Sequence, residues 1–219
     1  SFVPGTKVLM ADGTTKPKEA VTGLEMYKEL YKFTPPGWGK TFFIEDNQAI
    51  TEGLAAMSMN FFAFFPPLVN KTTNPYADVT GFFANPAGPT GKRFAALGGQ
   101  GISVVSYSKK QEASMKFLEW FIKDETQKKW AELGGYTASQ SVLKSPEFQN
   151  ATPYNKAFYD TMFMVKDFWA TPEYAEILDQ MNQHIYPYVV GDKGTAQEAL
   201  DATVKDWTAT FNKYNRYNN

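Results

Sequence analysis

The spacing of apolar residues changes twice along the chain. Ala20, Val21, Leu24, Tyr27 and Tyr31 fall at i, i+1, i+4, i+7 and i+11, which predicts an amphipathic helix over 17–31. Pro17 suits its first turn, and Thr34-Pro35-Pro36-Gly37 ends it. A short helix over 46–52 stops at Gly53. The period then drops to two. Over 54–61, Ala55, Met57, Met59 and Phe61 alternate with Ala56, Ser58 and Asn60, as a strand requires. A second strand is predicted over 78–84, and 85–93 form a Pro/Gly loop. The β-branched run 102–107, entered through Gly98-Gly99, reads as a third strand. Helical spacing then returns over 109–123 and 125–133, with Ala113, Phe117, Trp120 and Phe121 on one face. Ser108 with Gln111 and Asp124 with Gln127 have capping-box spacing, and Gly134-Gly135 close the pair. Ser145-Pro146, Thr152-Pro153 and Thr171-Pro172 are helix starts. Tyr174, Ile177, Leu178, Met181, Ile185 and Tyr188 form a core stripe ending at Gly191. Thr195 and Glu198 make another capping box, and Leu200, Val204, Trp207, Phe211 and Tyr214 line the last helix. The tail 213–219 is expected to fray. Short strands between helices, with a helix-rich C-terminal third, predict an α/β fold.

Composition adds one feature that periodicity does not. The 219 residues can bury a real core as one large or two small domains. Aromatic residues reach 16%, with 18 Phe, 12 Tyr and 5 Trp. Such rings fill cores, and they also stack on flat ligands. They crowd most densely in MSMNFFAFFPP at 57–67, where four phenylalanines follow Asn60. A membrane segment is excluded there, because two prolines break a run far short of the ~20 apolar residues a span needs. Net charge is −1, and the basic residues come as pairs such as Lys109-Lys110 and Lys128-Lys129. No basic stripe is present, which argues against nucleic acid as a partner. The absence of cysteine removes disulfides, thiolate metal sites and thiol nucleophiles. The opening residues read as sequence from inside a longer protein, without a secretory signal pattern.

Little in the sequence carries catalytic chemistry. The single histidine, His184, lies mid-helix, and no G-x-S-x-G motif accompanies it. No H-E-x-x-H, EF-hand loop or Cys/His cluster appears, so neither a metal nor a cofactor is expected. Gly98-Gly99-Gln100-Gly101 precedes a strand, whereas dinucleotide loops follow one. Asp167 with Glu173, or Glu45 with Asp46, could suggest a glycosidase pair; solvated surface charge is the simpler reading. No catalytic residue is assigned.

Six segments, in order, resemble the extracellular solute-binding proteins of bacterial ABC importers, carbohydrate branch, of the maltose-binding-protein kind. They are KPKEAVTGLEMYKELYKFTPPG, ITEGLAAMSMNF, VTGFFANPAGPTG, LGGQGISVVSYSKKQEASMKFLEWFIKDETQKKWAELGG, TPEYAEILDQM and GTAQEALDATVKDW. The resemblance covers only the C-terminal half of such a protein. It implies a two-lobed, type II periplasmic-binding-protein-like fold. Residues 1–97 then belong to the C-terminal lobe, 98–134 cross into the N-terminal lobe, and 135–219 return as closing helices. It also implies a sugar or polyol held between the lobes, a membrane permease as partner, and a periplasmic or surface-tethered location. The 102–107 strand and the helix after it would then need a separate N-terminal half to pack against.

The same resemblance supplies candidate ligand-binding residues. Asn60 ends the strand whose family counterpart points its exit at the cleft, and Phe61 and Phe62 follow where the family often carries a Gly-Pro-Trp run that this sequence lacks. Gly98, Gly99 and Gln100 lie at the first crossing and Tyr136 at the return. Trp169, just before Thr171-Pro172, lies in a loop that resembles another cleft-facing segment, and Trp38 is a further candidate after the PPG turn. Each aromatic could instead belong to the core, Asn60 could be a cap, and Gly98-Gly99 could be a hinge with unusual φ. Two other functions fit the aromatics: a glycan-acting enzyme, and a helical interaction protein without a small ligand.

Overall fold

The computed structural model describes residues 18–41, 43–88, 91–99 and 101–216. The opening loop, Pro17, Gln100 and the last three tail residues lie outside them. In chain order the elements are α1 (Lys18–Tyr31), α2 (Phe43–Thr51), β1 (Ala95–Leu97), α3 (Gln111–Phe121), α4 (Asp124–Glu132), α5 (Gln140–Lys144) and α6 (Pro146–Ala151). There follow α7 (Asn155–Thr161), β2 (Val165–Asp167), α8 (Tyr174–Val189) and α9 (Ala196–Lys213). They fall into two compact units. One joins the chain up to Thr41 with the chain from Trp169 onward; the other is the segment between.

The first unit is built on α1, α8 and α9. Leu24 of α1 packs with Tyr188 and Val189 of α8 and with Ala196 and Ala199 of α9. Ile177 is 2% exposed on the predicted α8 stripe. Tyr27 departs from the predicted α1 face: it stands exposed beside Met26 and Leu30, while Val21, Leu24 and Tyr31 point inward. Thr195 starts α9 as its sequence spacing requires. Its Oγ1 accepts from Glu198 N at 3.2 Å, and Glu198 Oε2 accepts from Thr195 N at 2.8 Å. Polar groups tie α8 to α9. Trp207 Nε1 donates to Ile177 O at 2.7 Å, and Gln180 Nε2 donates to Thr210 Oγ1 at 2.9 Å. His184 Nε2 lies 2.7 Å from Asp206 Oδ2, so the lone histidine serves as a helix-to-helix tie.

The second unit has its core at Ala131, Val142 and Phe148, with Leu143 and Phe158 packed against it. Ser145 caps α6 by accepting from Phe148 N at 3.2 Å, and Pro146 occupies the first turn. Two other predicted capping boxes do not form. The Asp124 carboxylate instead accepts from Ser139 and Ser141 at 2.9 Å each, which lowers its pKa. Gln127, 6% exposed, donates to Phe121 O and accepts from Thr137 Oγ1, both at 2.7 Å. Ser108 Oγ accepts from Lys110 N at 3.1 Å, outside α3.

The strand predictions also need correction. Among the described residues the one ladder joins β1 to β2 in parallel, with Ala95, Ala96 and Leu97 opposite Val165, Lys166 and Asp167. The stretches 54–61, 78–84 and 102–107 form no ladder. Alternation specifies which face a side chain takes, whereas a strand also needs a neighbour to receive its N–H and C=O groups. Near 78 a buried amide governs the chain. Asn74, fully buried, donates to Leu68 O at 2.7 Å and accepts from Tyr76 N at 3.0 Å.

Candidate aromatic binding site

Asn60 sets the direction of the aromatic segment. Its Nδ2 donates to Phe43 O at 2.8 Å, and its Oδ1 accepts from Phe61 N at 2.8 Å. A 3₁₀ turn follows at Phe62–Phe64, and a second begins at Pro66. In 3₁₀ geometry side chains three apart eclipse, and the four rings divide accordingly. Phe61 meets Phe43 edge-on at 5.5 Å, and Phe64 stacks on the same ring at 4.9 Å. Phe62 turns the other way, 4.8 Å from Phe65 and 5.4 Å from Phe158.

Phe61 lies directly on the backbone that leaves β1. A Cβ built at Gly98 would sit 2.7 Å from a Phe61 ring carbon, whereas one at Gly99 would meet nothing within 4 Å. Neither glycine adopts positive φ. Gly98 is therefore a point of close approach, not a residue held in a left-handed conformation. Gly98→Ala is expected to destabilise the fold by about 1–3 kcal/mol through overpacking. Gly99→Ala should be near neutral, and Phe61→Leu should recover most of the Gly98→Ala loss. Urea unfolding of the three variants checks this; equal effects at the two glycines would contradict the contact.

Tyr136 braces the other branch. Its hydroxyl donates to Phe62 O, and its ring lies 4.9 Å from Phe158. Gly135 leaves room for the Trp130 ring, which a Cβ there would overlap, and Trp130 Nε1 donates to Tyr136 O at 3.0 Å. Burial, reinforced by Tyr154, pushes the Tyr136 pKa well above its ordinary value, so the hydroxyl stays a neutral donor.

Asn60, Phe61, Phe62, Gly98 and Tyr136 thus form one connected constellation, with Gly99 beside it at the carboxyl end of β1. Open α/β sheets bind ligands beyond the carboxyl ends of their strands. Sequence reasoning missed two members. Phe43 carries both Phe61 and Phe64. Asn47 donates to Phe64 O, and its Oδ1 is buried without a hydrogen-bond partner among the described residues. Phe43 and Asn47 sit on α2, where their short helical pattern reads as core. Asp46 is next along; burial raises its carboxyl pKa and Glu45 adds to the effect.

Trp169 and Trp38 belong to the other unit. The Trp169 ring lies 5.9 Å from Trp207 and 5.3 Å from Phe211. Trp38 sits in the turn after α1, where its N–H donates to Pro35 O at 3.2 Å and its carbonyl accepts from Thr41 Oγ1 at 2.8 Å. Gln100 lies outside the described residues. Rings, amides and bare backbone dominate the constellation, groups whose chemistry matches a neutral molecule with apolar faces and hydroxyl edges. No group of acidic or histidine side chains among the described residues could hold a metal.

The family described as bacterial extracellular solute-binding proteins matches residues 3–157. The chain belongs to that family. Its homologues bind solutes and are not enzymes, and they are exported. This solute-binding protein is 26% identical over 148 residues to a Deinococcus radiodurans protein named "Probable ABC transporter-binding protein". That match covers 67% of this chain and 35% of the relative. Among solved structures it resembles maltose-bound MalE3 of T. maritima, with a TM-score of 0.76 and 23% identity, over 88% of this chain and 50% of that one. The likeness establishes a periplasmic-binding-protein-like fold. The chain spans about half the length of that structure and about a third of the curated relative. No helix among the described residues is long and apolar enough to cross a membrane.

Proposed function

We propose that this solute-binding protein is the receptor of an ABC importer, and that it holds a sugar or polyol between two lobes and delivers it to a membrane permease. The observation that carries the reading is the Phe61 ring on the bare Gly98 backbone, with the Asn60 amide beside it. A pyranose ring offers an apolar face to such a ring, while its hydroxyls need amide and carbonyl partners. Maltose in the structural relative supports a sugar as the first ligand to test. Lobe closure around it would turn binding into a population shift that a permease can read.

The reading extends to the rest of the protein. In this proposal residues 1–97 and 135–219 belong to the C-terminal lobe, and 98–134 cross to the N-terminal lobe. The crossing segment is unusually apolar for a surface. Ile102, Tyr107, Phe117, Trp120 and Leu133 are exposed. An open groove of about 350 Å³ runs beside α3, lined by Ile102, Val104, Ala113, Phe117 and Leu118 among others. Contiguous apolar surface of this kind marks an interface, and the N-terminal half of the same protein is its proposed occupant. Location in the periplasm or on a surface tether follows from the same reading.

A thermal-shift panel of monosaccharides, disaccharides and polyols on the full-length protein tests the proposal. Binding to the native state alone adds about 2.7 kcal/mol at a hundredfold excess over Kd, so one sugar should raise the Tm by several degrees. A panel with no shift at millimolar ligand would overturn it.

A further inference from the structure

The three stretches that have strand alternation and no ladder share a further feature. Among the described residues, the backbone N–H groups of 56–59, 81–84 and 102–105 find no hydrogen-bond acceptor. The carbonyls of 56–59 and 81–84 likewise receive no donor among them. All three stretches lie in one unit, Phe42–Phe168. Unpaired main chain is tolerated where water reaches it, yet the side chains standing in that water are apolar. Met57 and Met59 are 77% and 76% exposed, and Val79, Phe83 and Ile102 are exposed as well.

The stretch before Asn60 is not a loose loop. Ala55 N donates to Ala49 O at 3.0 Å where it begins, and Asn60 bonds to Phe43 O and Phe61 N at 2.8 Å each where it ends. Between these ties the chain is held open. At 81–84 one face is already covered: Phe82 packs on Phe65 and Tyr154 while Phe83 faces outward. Free strand edges in soluble proteins are blunted with charge or proline. LAAMSMNF at 54–61 and GFFA at 81–84 carry neither. Edges without such protection belong to a permanent contact.

We propose that 55–59 and 81–84 are strands of a sheet completed by extended, uncharged segments of the protein's other half. This rests on the proposed two-lobed extent of the protein and is independent of its ligand. It goes beyond the groove beside α3, because here the main chain itself is paired, as in strand addition. A second copy is the weaker occupant. A two-fold contact pairs one edge with its own image, whereas three separate stretches need several strands. The chain spans about half the length of its solved relative, which leaves room for them.

The test uses the full-length protein without substitution. Amide exchange is read by residue, and methionine oxidation by hydrogen peroxide is read by peptide mass. A strand paired along one edge protects every second amide. Either Ala56 and Ser58 or Met57 and Met59 should therefore exchange at least about a hundredfold more slowly than in an unstructured chain. Met57 and Met59 should oxidise at least about tenfold more slowly in the native than in the urea-unfolded protein. Exchange of all of 56–59 at the unstructured rate, or equal oxidation in the two states, overturns the pairing. Protection that disappears when the protein is diluted to a monomer, followed by sedimentation, assigns the edge to a second copy and overturns it too. Protection that persists in a monomer that binds no sugar of the panel upholds the pairing, and the receptor reading fails instead.

Discussion

Ile177→Ala lowers the unfolding free energy by about 3 kcal/mol, within the ~2–5 kcal/mol range for buried aliphatic truncations. Ile177 is 2% exposed on α8. Removing its outer carbons loses their transfer free energy and leaves a void that the helix pair fills only in part. Partial collapse is expected because the surrounding backbone is pinned. Ile177 O accepts from Trp207 Nε1 at 2.7 Å, and Ile177 N donates to Glu173 O at 3.0 Å. The neighbouring residue is the control: Leu178 is 36% exposed, and its truncation should cost well under half as much. The measurement is the urea midpoint at unchanged m-value. Equal losses at 177 and 178 would mean that α8 presents a different face to the core.

Phe61→Ala and Phe62→Ala separate ligand binding from stability. Phe61 stands over Gly98 at the carboxyl end of β1, on the Phe43 side of the cluster. Its truncation should weaken sugar binding about tenfold, near 1.4 kcal/mol, while lowering stability less than the loss at Phe62. Phe62 is packed between Phe65 and Phe158, and its carbonyl accepts from Tyr136. Its truncation should cost about 2–3 kcal/mol of stability, somewhat below the ~3–5 kcal/mol of a fully buried phenylalanine. Calorimetry with maltose and urea unfolding of the same two variants give the comparison. A Phe62→Ala variant that loses affinity and keeps its stability would move the ligand to the Tyr136 side of the cluster.

Helix starts were the most legible part of the sequence, since a cap is a local bond. Ser145 with Pro146 and Thr195 with Glu198 each form what their spacing requires, whereas α7 and α8 begin at Asn155 and Tyr174, past Thr152-Pro153 and Thr171-Pro172, without a side-chain cap. Even there, Asp124 has the right spacing and makes no cap, because Ser139 and Ser141 compete for its carboxylate. Strands were legible as faces only. The pairing of Ala95 with Val165 depends on a neighbour far along the chain, and nothing local announces it. Buried polar residues were illegible for the same reason: Gln127, Asn74 and Glu173 look like surface residues until Thr137, Leu68 and Arg216 arrive. At the site, Phe61 and Gly98 were each visible as candidates. Their direct contact explains the glycine better than a hinge does, and it required the fold.

The central claim, a receptor that binds a sugar without altering it, is tested most directly by titrating maltose into the full-length protein by calorimetry and weighing the recovered ligand by mass spectrometry. The account predicts a single-site isotherm that is weakened about tenfold in a Phe61→Ala variant, with maltose returned at its original mass. Heat evolved with hydrolysed or otherwise modified sugar, or no binding of maltose or any other sugar in the panel, would contradict it.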